Sequence, residues 1–252
     1  MSTDADRALS KVPEVTLLFW VIKIACTTLG ETGGDAVSMS MNLGYLTATA
    51  IFAVIFLGFV AAQIVARRFH PALYWATIIA TTTVGTTLAD FADRSLGIGY
   101  AGGSALLLAL LLGSLGLWYW TMGSVSISTV ASPKSEMFYW MTIMFSQTLG
   151  TALGDWTADD AGMGYLGGAA IFIGLLALIA AAYFWTNLSH TLLFWAAFVV
   201  TRPLGAVVGD FLDKPLDHGG LALSRYTASA TLLLFVIACV FLFRHRAAAR
   251  SH

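Results

Sequence analysis

Apolar residues run along this chain in about eight blocks, each roughly 18 residues or longer, and none alternates apolar with polar positions as a half-buried strand would. At ~1.5 Å per helical residue, each block can cross a hydrocarbon core roughly 30 Å thick. The blocks predict helices over approximately 15–36, 43–66, 72–92, 98–120, 136–156, 164–186, 190–211 and 222–244. Backbone inside hydrocarbon must satisfy its own hydrogen bonds, and without alternation only helices do so. The expected fold class is all-α: a polytopic membrane protein with eight transmembrane helices.

Composition sharpens this picture. Of 252 residues, 58% are apolar and 11% charged, against about 25% charged in a soluble domain. Eight spans of ~20 residues use ~160 positions, so the expectation is one membrane domain over 1–252 with short connections. That excludes a soluble enzyme head, a nucleic-acid-binding module and a secreted disulfide scaffold. Cys26 and Cys239 fall in different spans and are expected as buried free thiols. The start, MSTDADRALSKVPE, lacks the basic and small-residue signals of a cleaved leader, so the first span is expected to stay in the mature protein. Net charge −1 says little, but the placement of the cations says more. Arg7, Lys11, Arg67, Arg68, Lys134, Arg244, Arg246 and Arg250 fall on the side of the two termini; Arg94, Lys214 and Arg225 fall on the other. This asymmetry places both termini in the cytoplasm and turns the acidic connections (Asp93, Asp159, Asp160, Asp213, Asp217) outward.

Self-comparison exposes a fourfold repeat, approximately 15–69, 70–124, 135–189 and 190–244. Aromatic–Trp pairs, their indoles expected at the cytoplasmic interface, open each odd-numbered span: Phe19-Trp20, Tyr74-Trp75, Tyr139-Trp140 and Phe194-Trp195. Ten residues on stand Gly30, Gly85, Gly150 and Gly205; fourteen on, Gly34, Ala89, Gly154 and Gly209; fifteen on, Asp35, Asp90, Asp155 and Asp210. Twenty-four on stand Gly44, Gly99, Gly164 and Gly219, followed by Tyr45, Tyr100 and Tyr165 in three copies. Each unit holds two helices and returns to the side it left, so all copies share one orientation. An inverted-repeat transporter plan is excluded, and parallel repeats about an axis along the membrane normal remain, as a pseudo-fourfold ring or as two pseudo-twofold halves.

On these residues, over about 15–243, the chain resembles a group of bacterial multi-pass membrane proteins built from four tandem two-helix repeats, each with a tryptophan, and known as a repeat of unknown function. The resemblance implies that architecture and a bacterial inner-membrane location, and carries no reaction or ligand. Copy one departs from the pattern at Lys23 and Glu31; copy four departs at Arg202-Pro203 and lacks a Tyr after Gly219.

The repeated residues suggest two roles. Gly30/Gly34, Gly85/Ala89, Gly150/Gly154 and Gly205/Gly209 are small-xxx-small pairs that let helix backbones approach, so they are expected to pack the odd helices together. Stepping back by fours from each Asp gives one polar stripe per odd helix. The stripes read Lys23-Thr27-Glu31-Asp35, Ile78-Thr82-Thr86-Asp90, Ile143-Gln147-Thr151-Asp155 and Phe198-Arg202-Ala206-Asp210. A charge at the bilayer centre costs about 2.5–3.5 kcal/mol, so five carboxylates and two cations facing lipid would cost more than about 10 kcal/mol. The stripes are therefore expected to converge on a shared hydrated interior.

Glu31 and Asp35 are the first choice for an ion site, with a divalent metal among the candidates because all-oxygen ligands suit hard cations. Asp90, Asp155 and Asp210 complete the ring, Thr86, Thr151 and Gln147 serve as neutral ligands, and Arg202 is a countercharge expected near Glu31. Lys23 is a second countercharge, or else snorkels to the cytoplasmic face. The competing reading has each Asp cap the start of the following helix near Gly44 and its equivalents. His70 and His190 are expected at the interface, and His218 in a solvated loop. No phosphate-loop, HExxH, GxSxG or haem motif is present, so no enzyme activity and no cofactor is expected. The leading expectation is an inner-membrane transporter of a small cation coupled to protons; the alternatives are an ion channel and a non-transporting structural or signalling protein. The expected partners are the bilayer, a small ion or solute and protons, with no nucleic acid. The sequence sets no oligomeric state.

Overall fold

The computed structural model describes residues 10–248. Within them lie eight long helices, α1 (Leu17–Asp35), α2 (Tyr45–Val65), α3 (Pro71–Asp90), α4 (Tyr100–Met122), α5 (Pro133–Asp155), α6 (Gly164–Trp185), α7 (His190–Asp213) and α8 (Arg225–Leu242). Every end lies within three residues of the position read from the sequence. Arg7 and Arg250, assigned to the side of the termini, lie outside the described residues.

Five helices, α2, α4, α6, α7 and α8, are long and apolar enough to cross a membrane. The other three, α1, α3 and α5, carry the polar stripes that dilute their hydropathy, and they lie inside the bundle. Helices α1, α3, α5 and α7 form a ring in that order, α7 closing back on α1. Around it, α2 packs on α3, α4 on α5, α6 on α7 and α8 on α1. Each even helix thus leans on the odd helix of the next copy rather than on its own, and α8 closes the circle.

The glycines set the ring's spacing. A methyl group added at Gly85 would meet the Gln147 carbonyl carbon at 2.9 Å, and one at Gly154 would meet the Ala206 Cβ at 2.9 Å. Gly30 faces Thr82, Gly150 faces Arg202 and Gly205 faces Thr27 in the same way, so the glycine ten residues after each Trp receives the residue seven after the next Trp. The odd helices therefore stand side by side in register at backbone contact, which only small residues permit.

After Asp35, Asp90 and Asp155 the backbone widens into single π-helical turns, Ala36–Ser40, Phe91–Ser95 and Trp156–Asp160. Such turns are rare and concentrate at functional sites. The fourth copy has none; α7 carries Pro203 and runs on to Asp213. Gly44 and Gly99 then enter α2 and α4 with φ of 76° and 78° and extended ψ, a combination essentially confined to glycine, which explains the repeated residue at that offset.

At the opposite end the termini tie the bundle together. Glu14 N–H donates to the Arg246 carbonyl at 2.8 Å and Ala248 N–H to that of Val12 at 2.8 Å. Lys11 is buried: its ammonium lies 2.6 Å from Glu136 and donates to the Gln63 carbonyl in the last turn of α2 at 2.9 Å.

Candidate functional site

The ring has an aromatic end and an acidic end. Tyr74 and Tyr139 share a hydroxyl–hydroxyl bond of 2.6 Å, and Phe19, Trp75, Trp140, Phe194 and Trp195 pack around them with ring centroids 5.0–6.2 Å apart. Trp75, Trp140 and Trp195 are each under 5% exposed. The sequence reading used the repeated tryptophans as markers of the bilayer interface. Instead three of them pack inside the ring, and exposed indoles stand at the ends of α4 and α6, at Trp120 and Trp185.

One turn further along, Lys23 is fully buried, so it does not snorkel. Its ammonium sits 4.0 Å from the Phe198 ring centroid and donates to the Thr201 hydroxyl at 3.2 Å. No carboxylate pairs with it among the described residues.

Arg202 occupies the middle of the ring. From α7 its Nη2 reaches Glu31 of α1 at 2.9 Å, the Thr86 hydroxyl of α3 at 2.6 Å and the Thr151 hydroxyl of α5. Thr86 also donates to Glu31 at 3.2 Å. One guanidinium thus touches all three other inner helices, its stem lying against Gly150, where a side chain would clash with it. The rest of this layer is under-satisfied: Arg202 Nε and Nη1, both amide atoms of Gln147 and the Thr82 hydroxyl are buried without a hydrogen-bond partner. Each such group costs about 1–3 kcal/mol unless water or a ligand meets it.

The four repeated aspartates form the next layer, and two cations bridge them in pairs. Lys214 lies 2.7 Å from Asp35 and 3.1 Å from Asp210, joining α1 to α7. Arg94 lies 3.1 Å from Asp90 and 3.2 Å from Asp155, joining α3 to α5. Arg94 also donates to the Tyr100 and Tyr45 hydroxyls, which gives two of the repeated tyrosines a role. Arg225 holds Asp213 at 3.0 Å and approaches Asp35 at 3.6 Å. Burial alone would lower the Lys214 ammonium, but Asp210, Asp35 and Asp213 hold it well above its usual value.

Six carboxyl groups (Glu31, Asp35, Asp90, Asp155, Asp210, Asp213) therefore meet four cations (Arg94, Arg202, Lys214, Arg225). Single oxygens of Glu31, Asp155 and Asp210 lie within 4.8 Å of one another, as do those of Asp35, Asp210 and Asp213. Asp155 Oδ1 and Asp35 Oδ1 are buried without a partner. Either group could hold a hard cation through oxygen ligands. Glu31 thus groups with Asp155 and Asp210, while Asp35 groups with Asp210 and Asp213. Asp213, read as part of an outward connection, is instead buried at the end of α7. The capping alternative finds no bond, because no side chain caps the starts of α2, α4, α6 or α8.

The sequence reading left Arg94, Lys214 and Arg225 as connection residues. A signal for the first two was present. Each stands four residues after a repeated Asp, where helical side chains stack, while copies one and three have Met39 and Asp159 there.

Among known proteins, the family described as "Repeat of Unknown Function (DUF347)" matches residues 18–69, 73–124, 138–189 and 193–249. No curated protein and no solved structure matches the chain.

Proposed function

We propose, from the premise that the chain belongs to the DUF347 repeat family, that all eight helices cross a bacterial inner membrane with both termini in the cytoplasm, and that the ring moves a small cation in exchange for protons. The positive-inside asymmetry supports the orientation. The observation that carries the function is the grouping of Glu31, Asp155 and Asp210 within 4.8 Å, beside an unpartnered Asp155 oxygen. Carboxylates this close repel one another, so a bound cation and protons compete for the same oxygens, which is the coupling an exchanger needs. Arg202 is the internal rival: it neutralises Glu31 when the site is empty and must yield when a cation arrives.

The aromatic plug on the cytoplasmic side and the bridges of Arg94 and Lys214 on the outer side would be the two gates. Alternating access then consists of opening one while the other stays shut. A second reading is a non-transporting scaffold, favoured by the same bridges, since Lys214 and Arg94 pin α7 to α1 and α3 to α5.

Cation flux in proteoliposomes under an imposed pH gradient separates the two readings. Asp155→Asn and Glu31→Gln are expected to lower flux by at least about tenfold, a loss of ~1.4 kcal/mol. A wild-type chain that stays folded yet carries no ion from a panel of monovalent and divalent cations would leave the scaffold reading. Flux that neither saturates with the cation nor depends on pH would make the protein a channel.

A further inference from the structure

A cavity of about 280 Å³ opens at the aromatic end of the ring, outside the acidic site, between the start of α1, Trp75 of α3 and the segment following α8. Its wall is preformed. The chain after α8 folds back beside residues 12–14, held by the Glu14–Arg246 and Ala248–Val12 backbone bonds and by a bridge between Pro13 and Ala247. Arg244, His245 and Arg246 are carried into the lining by that fold-back.

The polar groups there are nearly all donors. Among the described residues no carboxylate lies within ion-pair distance of Arg244 or Arg246, since every ion pair engages other cations. Trp75 is 1% exposed, lines the cavity, and its indole N–H has no hydrogen-bond partner. Thr16, also in the lining, is the N-cap of the 19-residue α1, whose first turn holds no acidic residue to answer its positive end. The single acid in the lining is Glu14, an exposed residue. Two guanidiniums with no carboxylate partner among the described residues, a buried indole N–H without a partner and a helix N-terminus around one space are complementary to a phosphate group.

We propose that this cavity is a binding site for a phosphate-bearing anion, its guanidiniums from Arg244 and Arg246 flanking the phosphate and the Trp75 indole donating to it. The source is either the headgroup of an anionic phospholipid or a free phosphate. The seat is also the back of Phe19 and Trp75, so a bound anion would stiffen the aromatic end of the ring. This inference stands on its own residues and does not depend on cation transport.

Thermal unfolding of the full chain in detergent tests it with three additions: phosphatidylglycerol, phosphatidylcholine and inorganic phosphate. The expected result is a saturable rise in melting temperature of at least about 2 °C with phosphatidylglycerol, absent with phosphatidylcholine and lost in the Arg244→Gln/Arg246→Gln double variant. An equal rise with inorganic phosphate, also lost in the variant, would assign the site to free phosphate. Trp75→Phe removes only the indole donor and is expected to weaken the half-saturating concentration about fivefold, in keeping with one hydrogen bond of ~1 kcal/mol. No rise with either phosphate compound, or a rise of the same size in the double variant, would overturn the proposal.

Discussion

The four inner helices and the four outer helices of this bundle invert the rule of a soluble protein. In α3 the buried residues include Thr77, Thr81, Thr82, Thr83, Thr86, Thr87 and Asp90, whereas α2 buries only Ala48, Phe56 and Gln63. The apolar stretch of α7 is 72% buried, while those of α2, α6 and α8 are 17% buried. Leu106, Leu108, Ile173 and Phe184 of the outer helices face away from the protein. Polarity here goes inward and apolarity outward, as the proposed bilayer would demand. The difference teaches what holds the ring together. Where the surroundings are as apolar as leucine, removing apolar surface from them gains little, and association rests on close van der Waals contact and interhelical hydrogen bonds. The inner helices have both, through their glycine contacts and the Arg202 hub; the outer helices mainly fill the groove beside the next copy.

Four substitutions test the contrast, in order of falling effect. Arg202→Leu leaves Glu31 buried without its cation and is expected to cost about 3–5 kcal/mol in detergent unfolding, with a substantial part recovered by adding Glu31→Gln. If the single change costs no more than a truncation on an outer helix, the hub is not what holds the ring. Gly85→Ala drives a methyl group into the Gln147 backbone and is expected to cost about 1–3 kcal/mol. Gly113→Ala on α4 meets nothing within 4 Å and is expected to be neutral or to stabilise by up to ~1 kcal/mol through helix propensity. Matched losses at the two glycines would erase the distinction between ring and periphery. The smallest effect is expected at Leu108→Ala, an exposed position on α4, whose midpoint should stay within about 0.5 kcal/mol of the parent.

A second contrast lies within the ring itself. By repeat count it is fourfold, with one Asp per copy, yet its ion bridges are twofold, because only copies two and four carry a cation at the residue four after the Asp. The α7–α1 and α3–α5 pairs are thus tied internally by Lys214 and Arg94. The seams α1–α3 and α5–α7 are held chiefly by glycine packing and by the Arg202 hub, so a motion that opens the acidic end has least to break there.

Much of this was legible in the residues alone. Eight helices, the copy boundaries, the shared level of the four aspartates and the meeting of Arg202 with Glu31 follow from two periodicities, the helical step of four and the copy length. The repeated tryptophans were misplaced at an interface because an indole suits a bilayer boundary and an aromatic core equally, and burial separates the two. The grouping of Glu31 with Asp155 and Asp210 was not legible, because it joins three different helices across the ring and spacing along one helix does not reveal it. The bridging roles of Arg94 and Lys214 were obscured because both sit at the very ends of their apolar blocks, where a cation ordinarily means solvent.

The amino-acid order by itself determined how many helices form, where each stops and how deep each polar side chain lies, because these depend on local hydrogen bonding, hydropathy and a fixed rise per residue. Only the tertiary structure decided which copy each outer helix leans on, that the circle closes between α8 and α1, and which cation meets which carboxylate. Axial level follows from position along a helix, but a side chain's partner also depends on the rotation and neighbour of that helix, and those are set when glycine-lined backbones come into contact.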